Sequence, residues 1–194
     1  MVYALAKVIL TIVFRLIFRI KVTGAEHVPE NGGIIICANH AHVFDPILVS
    51  IMLKRKMRFI AKKELFRNKA FAWIIRALGA FPVDREAADI TAYKTAIKLL
   101  QNGEALLLFS QGTRQKTISI SNNKSGVVFF GIKANAPIVP VGINATYKPF
   151  SKVHIQIGKP INLDKYSGAK LKTELLNQIT EDTMRQIIKL SGAK

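Results

Sequence analysis

The chain is poor in acid and nearly devoid of cysteine: 12 Asp and Glu stand against 29 Lys and Arg, and Cys37 is alone. A single cysteine excludes an internal disulfide framework and a thiolate metal site. Cys37 also lies in the apolar run Ile34-Ile35-Ile36-Cys37, the setting of a small core residue. A reducing cytosol is therefore the favoured compartment. The shortage of acid leaves a formal net charge of +17, which asks for an anionic partner. Internal repeats, low-complexity tracts and linker-like stretches are also missing, so 194 residues read as one compact domain with a substantial core. No serine sits on a nucleophile elbow, and no Gly-rich frame ends in Lys-Ser or Lys-Thr as a nucleotide P-loop does. His40 and His42 have no companion His, Cys or acidic cluster at ligand spacing, so metal binding is not expected.

What is present is an apolar chain with a basic surface. Hydrophobic residues make up 49% of the sequence, and the mean hydropathy is positive. Nucleic-acid binders seldom add a strongly apolar N-terminus to their charge, and no aromatic-interleaved basic motif appears, so a nucleic-acid partner is not expected. An anionic membrane surface or an anionic substrate accounts for both features.

From Val2 to Ile20 the sequence is apolar except for Lys7, Thr11, Arg15 and Arg19, which recur every fourth residue. At about 100° per residue these fall within roughly 120° on a helical wheel, and Lys21 extends the stripe. The opposite face carries Val8, Ile9, Ile12, Val13, Leu16, Ile17 and Ile20, with Phe14 and Phe18 nearby. Such a helix suits the lipid interface, so residues 1–21 are expected to form an interfacial helix ahead of a domain over 22–194. A short span with snorkelling arginines and a helix packed on the core are the competing readings; Arg15 interrupts the ~20-residue apolar run that spanning requires. A signal peptide is disfavoured because no small-residue cleavage site follows.

After Gly24, short apolar runs alternate with amphipathic stretches, the pattern of an α/β fold with a mostly parallel or mixed central sheet flanked by helices. Strands are predicted near 33–38, 57–61, 80–83, 104–109, 137–143 and 152–157. Helices are predicted near 46–54, 65–78, 87–101, 125–135 and 168–190.

Four stretches could carry chemistry. In the first, Asn39-His40-Ala41-His42-Val43-Phe44-Asp45-Pro46, a possible general base and an orienting carboxylate stand five residues apart at the end of a buried strand. The same residues also read as a helix cap and a turn histidine. The second, Phe109-Ser110-Gln111-Gly112-Thr113-Arg114, follows another buried strand, where ligands bind in α/β sheets. Arg114 could fork onto a phosphate there, with nearby N–H groups facing an oxyanion, or the stretch could be a plain turn. The third is Gly79-Ala80-Phe81-Pro82-Val83-Asp84-Arg85. The fourth is a basic stretch from Lys54 to Lys69, relieved only by Glu64, which reads as a solvated face or as the mark of an anionic neighbour.

Taken together, these stretches resemble the glycerolipid acyltransferases. Asn39, His40 and Asp45 match that family's first signature, and Gly79, Phe81 and Arg85 its second. Phe109, Gly112, Thr113 and Arg114 match its third, and Val139-Pro140-Val141 its fourth. Ala61-Lys62 before Glu64-Leu65-Phe66, and Lys124 with Gly126, agree as well, so the likeness runs over roughly residues 22–147. Two positions depart from it: Ser110 replaces the usual Pro, and Gln111 replaces the usual Glu, removing a negative charge while keeping an acceptor oxygen.

The resemblance implies an O-acyltransferase that moves a fatty acyl group from acyl-CoA or acyl-carrier protein to a lysophospholipid, 1-acylglycerol-3-phosphate in the type case, giving phosphatidic acid. It implies His40 as base and Asp45 as its orienter. Lys62, Arg85 and Arg114, with Gln111, Gly112 and Thr113, would hold the substrate, without cofactor or metal. The site would face the bilayer on the cytoplasmic side of the cell membrane, held monotopically or peripherally by the N-terminal helix. Gln111 leaves open another acceptor, such as a different lysophospholipid, glycerol 3-phosphate or a lipid A precursor, and also a membrane-binding relative of low activity.

Overall fold

The computed structural model of the chain describes residues 2–83, 90–112, 125–166, 168 and 171–193. In chain order the elements are α1 (Val2–Ile17), β1 (Arg19–Thr23), β2 (Ile34–Ala38), α2 (Asp45–Met52), β3 (Met57–Lys62), α3 (Lys69–Ala77), β4 (Ala80–Val83), α4 (Ile90–Gln101), β5 (Ala105–Phe109), α5 (Gly126–Ala134), β6 (Ile138–Ala145), β7 (Lys152–Ile157) and α6 (Thr173–Ser191). The seven strands form one sheet in the order β1-β7-β6-β2-β5-β3-β4. Every pairing is parallel except β6 with β7. Five strands therefore end at one edge of the sheet, and the two that run against them, β1 and β7, begin there.

Helices cover both faces, which is why β2 and β5 are apolar runs rather than alternating ones. Ile34, Ile36, Ala105 and Leu107 point to a core closed by Phe14 of α1 and Phe18 just after it, by Leu48, Val49 and Ile51 of α2, and by Ile75 of α3. Ile35, Cys37, Leu106 and Leu108 point to a second core closed by α4, α5 and α6. At about 1.5–3 kcal/mol for each fully buried large side chain, these two layers supply most of the drive to fold. Gly142 on β6 lets α6 dock closely: a Cβ there would stand 2.2 Å from the backbone of Leu190 and Ser191.

The six strands predicted after Gly24 are present, and the sheet has one more. The helix expected over residues 1–21 ends at Ile17, and Arg19, Ile20 and Lys21 belong to β1. The stretch Arg-Ile-Lys-Val-Thr alternates with period two, which suits an edge strand exposed on one face. Five residues are too few to separate that alternation from the end of an amphipathic helix.

α1 is docked with its apolar face outward. Its inward side uses Tyr3, Lys7 and Phe14, helped by Ala6 and Leu10. The Tyr3 hydroxyl donates to the Ser50 carbonyl, and Lys7 donates to the Leu53 carbonyl at the far end of α2. Val8, Ile9, Ile12, Val13, Leu16 and Ile17 remain exposed. Among the described residues no helix is long and apolar enough to cross a membrane.

Candidate active site

The site lies where β2 runs out. Asn39 is 4% exposed, and its carboxamide bonds both backbone groups of Ile143 on β6: Nδ2 donates to the carbonyl at 2.9 Å, and Oδ1 accepts from the N–H at 2.7 Å. The side chain thus continues the β2–β6 pairing after the backbone has turned away. That fixes the point from which the next residues depart.

The turn from His40 to Phe44 wraps around one carboxylate. Asp45, 1% exposed, accepts on Oδ2 from the Ala41 N–H at 2.8 Å, the His42 N–H at 2.7 Å and His40 Nδ1 at 2.9 Å. Its Oδ1 accepts from the Tyr147 hydroxyl. Asp45 also opens α2, with Pro46 behind it in the first turn. The carboxylate therefore bonds backward into the turn and to the imidazole, joining the two roles the sequence had left as alternatives. With Nδ1–H given to the carboxylate, the imidazole is the tautomer whose Nε2 carries a lone pair. Among the described residues none bonds that Nε2. The His40 side chain keeps 15% of its surface exposed, so it remains reachable.

Two rings hold the imidazole and its carboxylate in place. Phe109, the last residue of β5, stacks on His40 with centroids 4.0 Å apart and planes 19° from parallel. On the other side, Tyr147 stacks on His42 at 4.4 Å and touches Phe44 and Phe18 edge-on, which ties the site to the root of α1. Tyr147 takes a positive φ of 55°, a backbone conformation rare for an aromatic residue, to bring its hydroxyl under Asp45. Burial pushes the Tyr147 phenol far up, and the Asp45 carboxylate adds to the shift, so the hydroxyl stays a proton donor at any working pH.

The β5 turn lies beside this pair. Ser110 N–H extends the β2–β5 pairing by donating to the Ala38 carbonyl at 3.3 Å. Gln111 is 3% exposed, and its side-chain oxygen faces the backbone N–H of His40 at 3.5 Å. A neutral amide in that position approaches the main chain of the histidine itself. Gly112, with φ at 68°, closes the turn by donating its N–H to the Phe109 carbonyl at 2.9 Å. Lys62 ends β3 at the same edge, exposed, with Nζ 3.7 Å from the Glu64 carboxylate. Arg85, Thr113 and Arg114 lie outside the described residues, as does Lys124.

A cleft of about 410 Å³ opens behind Phe109. Leu108, Val127, Phe130 and Tyr93 give it an apolar lining, with Gly112, Ser125 and Gly126 also along it. Cys37 takes no part in the site: burial pushes its thiol up to about 12, which keeps it protonated and inert.

Tyr147 and the ring of Phe109 were not legible as site residues. In the sequence Phe109 stands only as a motif position. Tyr147 lies 102 residues from the carboxylate it bonds, in a loop without periodicity.

The family described as Acyltransferase matches residues 19–144. A 1-acyl-sn-glycerol-3-phosphate acyltransferase of Bacillus subtilis (strain 168) is 33% identical over 171 residues, 82% of this chain and 85% of the relative. Another so named, from Streptococcus pneumoniae, is 34% identical over 136 residues, 66% of this chain and 50% of the relative. The crystal structure of the 1-acyl-sn-glycerophosphate (LPA) acyltransferase PlsC from Thermotoga maritima superimposes with a TM-score of 0.71 at 26% identity, over 90% of this chain and 73% of that one. A match that takes in the histidine turn, the end of β3 and the β5 turn together means that this chain belongs to the acyltransferase family.

Proposed function

We propose that the protein transfers a fatty acyl group from the thioester of acyl-CoA or acyl-carrier protein to the free hydroxyl of 1-acylglycerol-3-phosphate, giving phosphatidic acid. The observation that carries this reading is the 2.9 Å bond from His40 Nδ1 to a buried Asp45 already tied to its own turn. Family membership and the names of the relatives support the substrate class.

In the proposed reaction His40 Nε2 takes the hydroxyl proton as the oxygen attacks the thioester carbonyl, and Asp45 stabilises the imidazolium that forms. Collapse of the tetrahedral intermediate breaks the carbon–sulfur bond, and the thiolate leaves with the proton returned from His40. Lys62, Arg85 and Arg114 hold the acceptor phosphate, and N–H groups of the loop around Gly112 receive the developing oxyanion. The apolar cleft behind Phe109 takes an acyl chain. α1 rests on the anionic leaflet through its outward apolar face, peripherally and on the cytoplasmic side. An ordinary core helix would turn that face inward, whereas here Tyr3, Lys7 and Phe14 are turned in instead.

A second acceptor is favoured by one observation, the neutral and buried Gln111 where the family's usual residue is acidic. The test is acyl transfer from labelled acyl-CoA to a panel holding 1-acylglycerol-3-phosphate, other lysophospholipids, glycerol 3-phosphate and a lipid A precursor. It is run with the native protein, Gln111→Glu and His40→Ala. His40→Ala should lose about 10²–10⁴-fold in kcat. Transfer at the native rate by that variant would end the proposal, and a better substrate than 1-acylglycerol-3-phosphate would move it to that acceptor.

A further inference from the structure

A helix lying flat on a membrane leaves the body it carries free to roll about the helix axis, so α1 alone does not decide which side of the enzyme meets lipid. A second contact that would settle the roll is visible beside it. α3 packs on the same face of the sheet as α1 and touches it, so the two helices present their outer sides in one layer. Ala72 and Ile75 supply the buried side of α3, yet the whole run from Ala70 to Ile75 is uncharged. Its outward side shows Trp73 63% exposed, with Phe71 and Ile74 beside it, and Leu65 is exposed in the 3₁₀ turn before the helix. Scattered apolar residues on a surface are ordinary, but a cluster continuous with a second apolar helix face is not.

The rim of this cluster is cationic. Lys63, Arg67, Lys69 and Arg76 are exposed around it, and Glu64 is the one acid in the sequence from Lys54 to Val83. On α1 the pattern repeats: Arg15 is exposed, and no acid precedes Glu26. A twofold dimer through this face would bring like charges together. Tryptophan with Lys and Arg around an apolar strip is instead the composition of a membrane-interface belt. The anionic leaflet is the occupant that meets both the charge and the apolar surface.

We infer that the segment from Leu65 to Ile74 is a second lipid-inserting element, with Trp73 at its centre, so that the protein rests on an anionic leaflet along α1 and α3 together. This rests on the reading that α1 lies in the bilayer. Val43 and Phe150 are exposed as well. Val43 belongs to the histidine turn, and Phe150 donates its N–H to the Ile17 carbonyl at the end of α1. Phe44 of the same turn packs on Phe14 and Phe18, which keeps His40 beside the root of α1.

Trp73 is the only tryptophan of the chain, so emission excited beyond the tyrosine band reports this contact alone. The experiment mixes the full protein with vesicles of phosphatidylcholine, with and without phosphatidylglycerol, and records sedimentation, Trp73 emission and quenching by bromine-labelled acyl chains. The expected result is sedimentation with the anionic vesicles, a blue shift and quenching, with Trp73→Glu partitioning about tenfold more weakly. Sedimentation with unchanged, unquenched emission would overturn the second contact and leave α1 as the anchor. Absence of sedimentation would overturn both. Emission already blue-shifted in buffer, in a protein that sediments as a dimer, would assign the face to a second copy and overturn the inference as well. Native-like partitioning of a folded Trp73→Glu variant would also overturn it.

Discussion

Asp45 is saturated. Two backbone N–H groups, one imidazole and one phenol converge on its two oxygens, so the carboxylate has no freedom to turn away from His40. Tyr147 is the member that chemistry can remove most cleanly. Tyr147→Phe keeps the ring and its stacking on His42 but leaves Oδ1 without a donor inside the fold. A hydrogen bond to a charged group is worth about 1.5–3 kcal/mol, so kcat should fall roughly tenfold or more. KM for both substrates should hold, which steady-state kinetics at saturating donor will read. A comparable rise in KM would mean that Tyr147 shapes the acceptor site instead. The five-residue spacing of His40 and Asp45 could be read in the sequence because both lie within one turn. Tyr147 could not, because its role depends on the end of β6 arriving beside the end of β2.

At the level of elements, α1 has one face packed on the core and one left outside it. Phe14 is 7% exposed and closes a core layer, whereas Ile12 is 55% exposed and touches no layer of the core. Phe14→Ala should lower the unfolding free energy by about 3–5 kcal/mol, measured by denaturant titration. Ile12→Glu should leave the unfolding free energy within about 0.5 kcal/mol of native while weakening vesicle sedimentation. Deleting α1 would mix the two effects, since Phe14 would be lost from the core and β1 would lose its lead-in. The helix was legible from its period, and so was its apolar face. The direction in which that face points was not, because an amphipathic wheel reads the same whether the stripe meets a core or a bilayer.

At the level of the molecule, a charge of +17 acts as a field. Exposed Lys and Arg near an anionic leaflet contribute about 1 kcal/mol each, and the interaction fades beyond a Debye length of about 8 Å at physiological ionic strength. Sedimentation with anionic vesicles should therefore weaken on raising salt from 0.1 to ~1 M, leaving the part carried by apolar contact. Binding unaffected by salt would make the charge irrelevant to docking. The sheet topology gives this field a direction, since β1 starts at the edge where β2, β3, β5 and β6 end, and so brings the last turn of α1 to the His40 side.

By itself the sequence determined the apolar runs that become strands, the layering of helices between them, and the short spacing that puts an imidazole within reach of a carboxylate. These are properties of windows of a few residues, where backbone period and side-chain polarity are enough. Only the tertiary structure decided that Asn39 clamps Ile143, that Tyr147 completes Asp45, that Gln111 turns inward to His40, and that α1 keeps its oily face outside. Each of these is a choice of partner across the fold, made by whichever donor, acceptor or surface the packing of distant segments brings near.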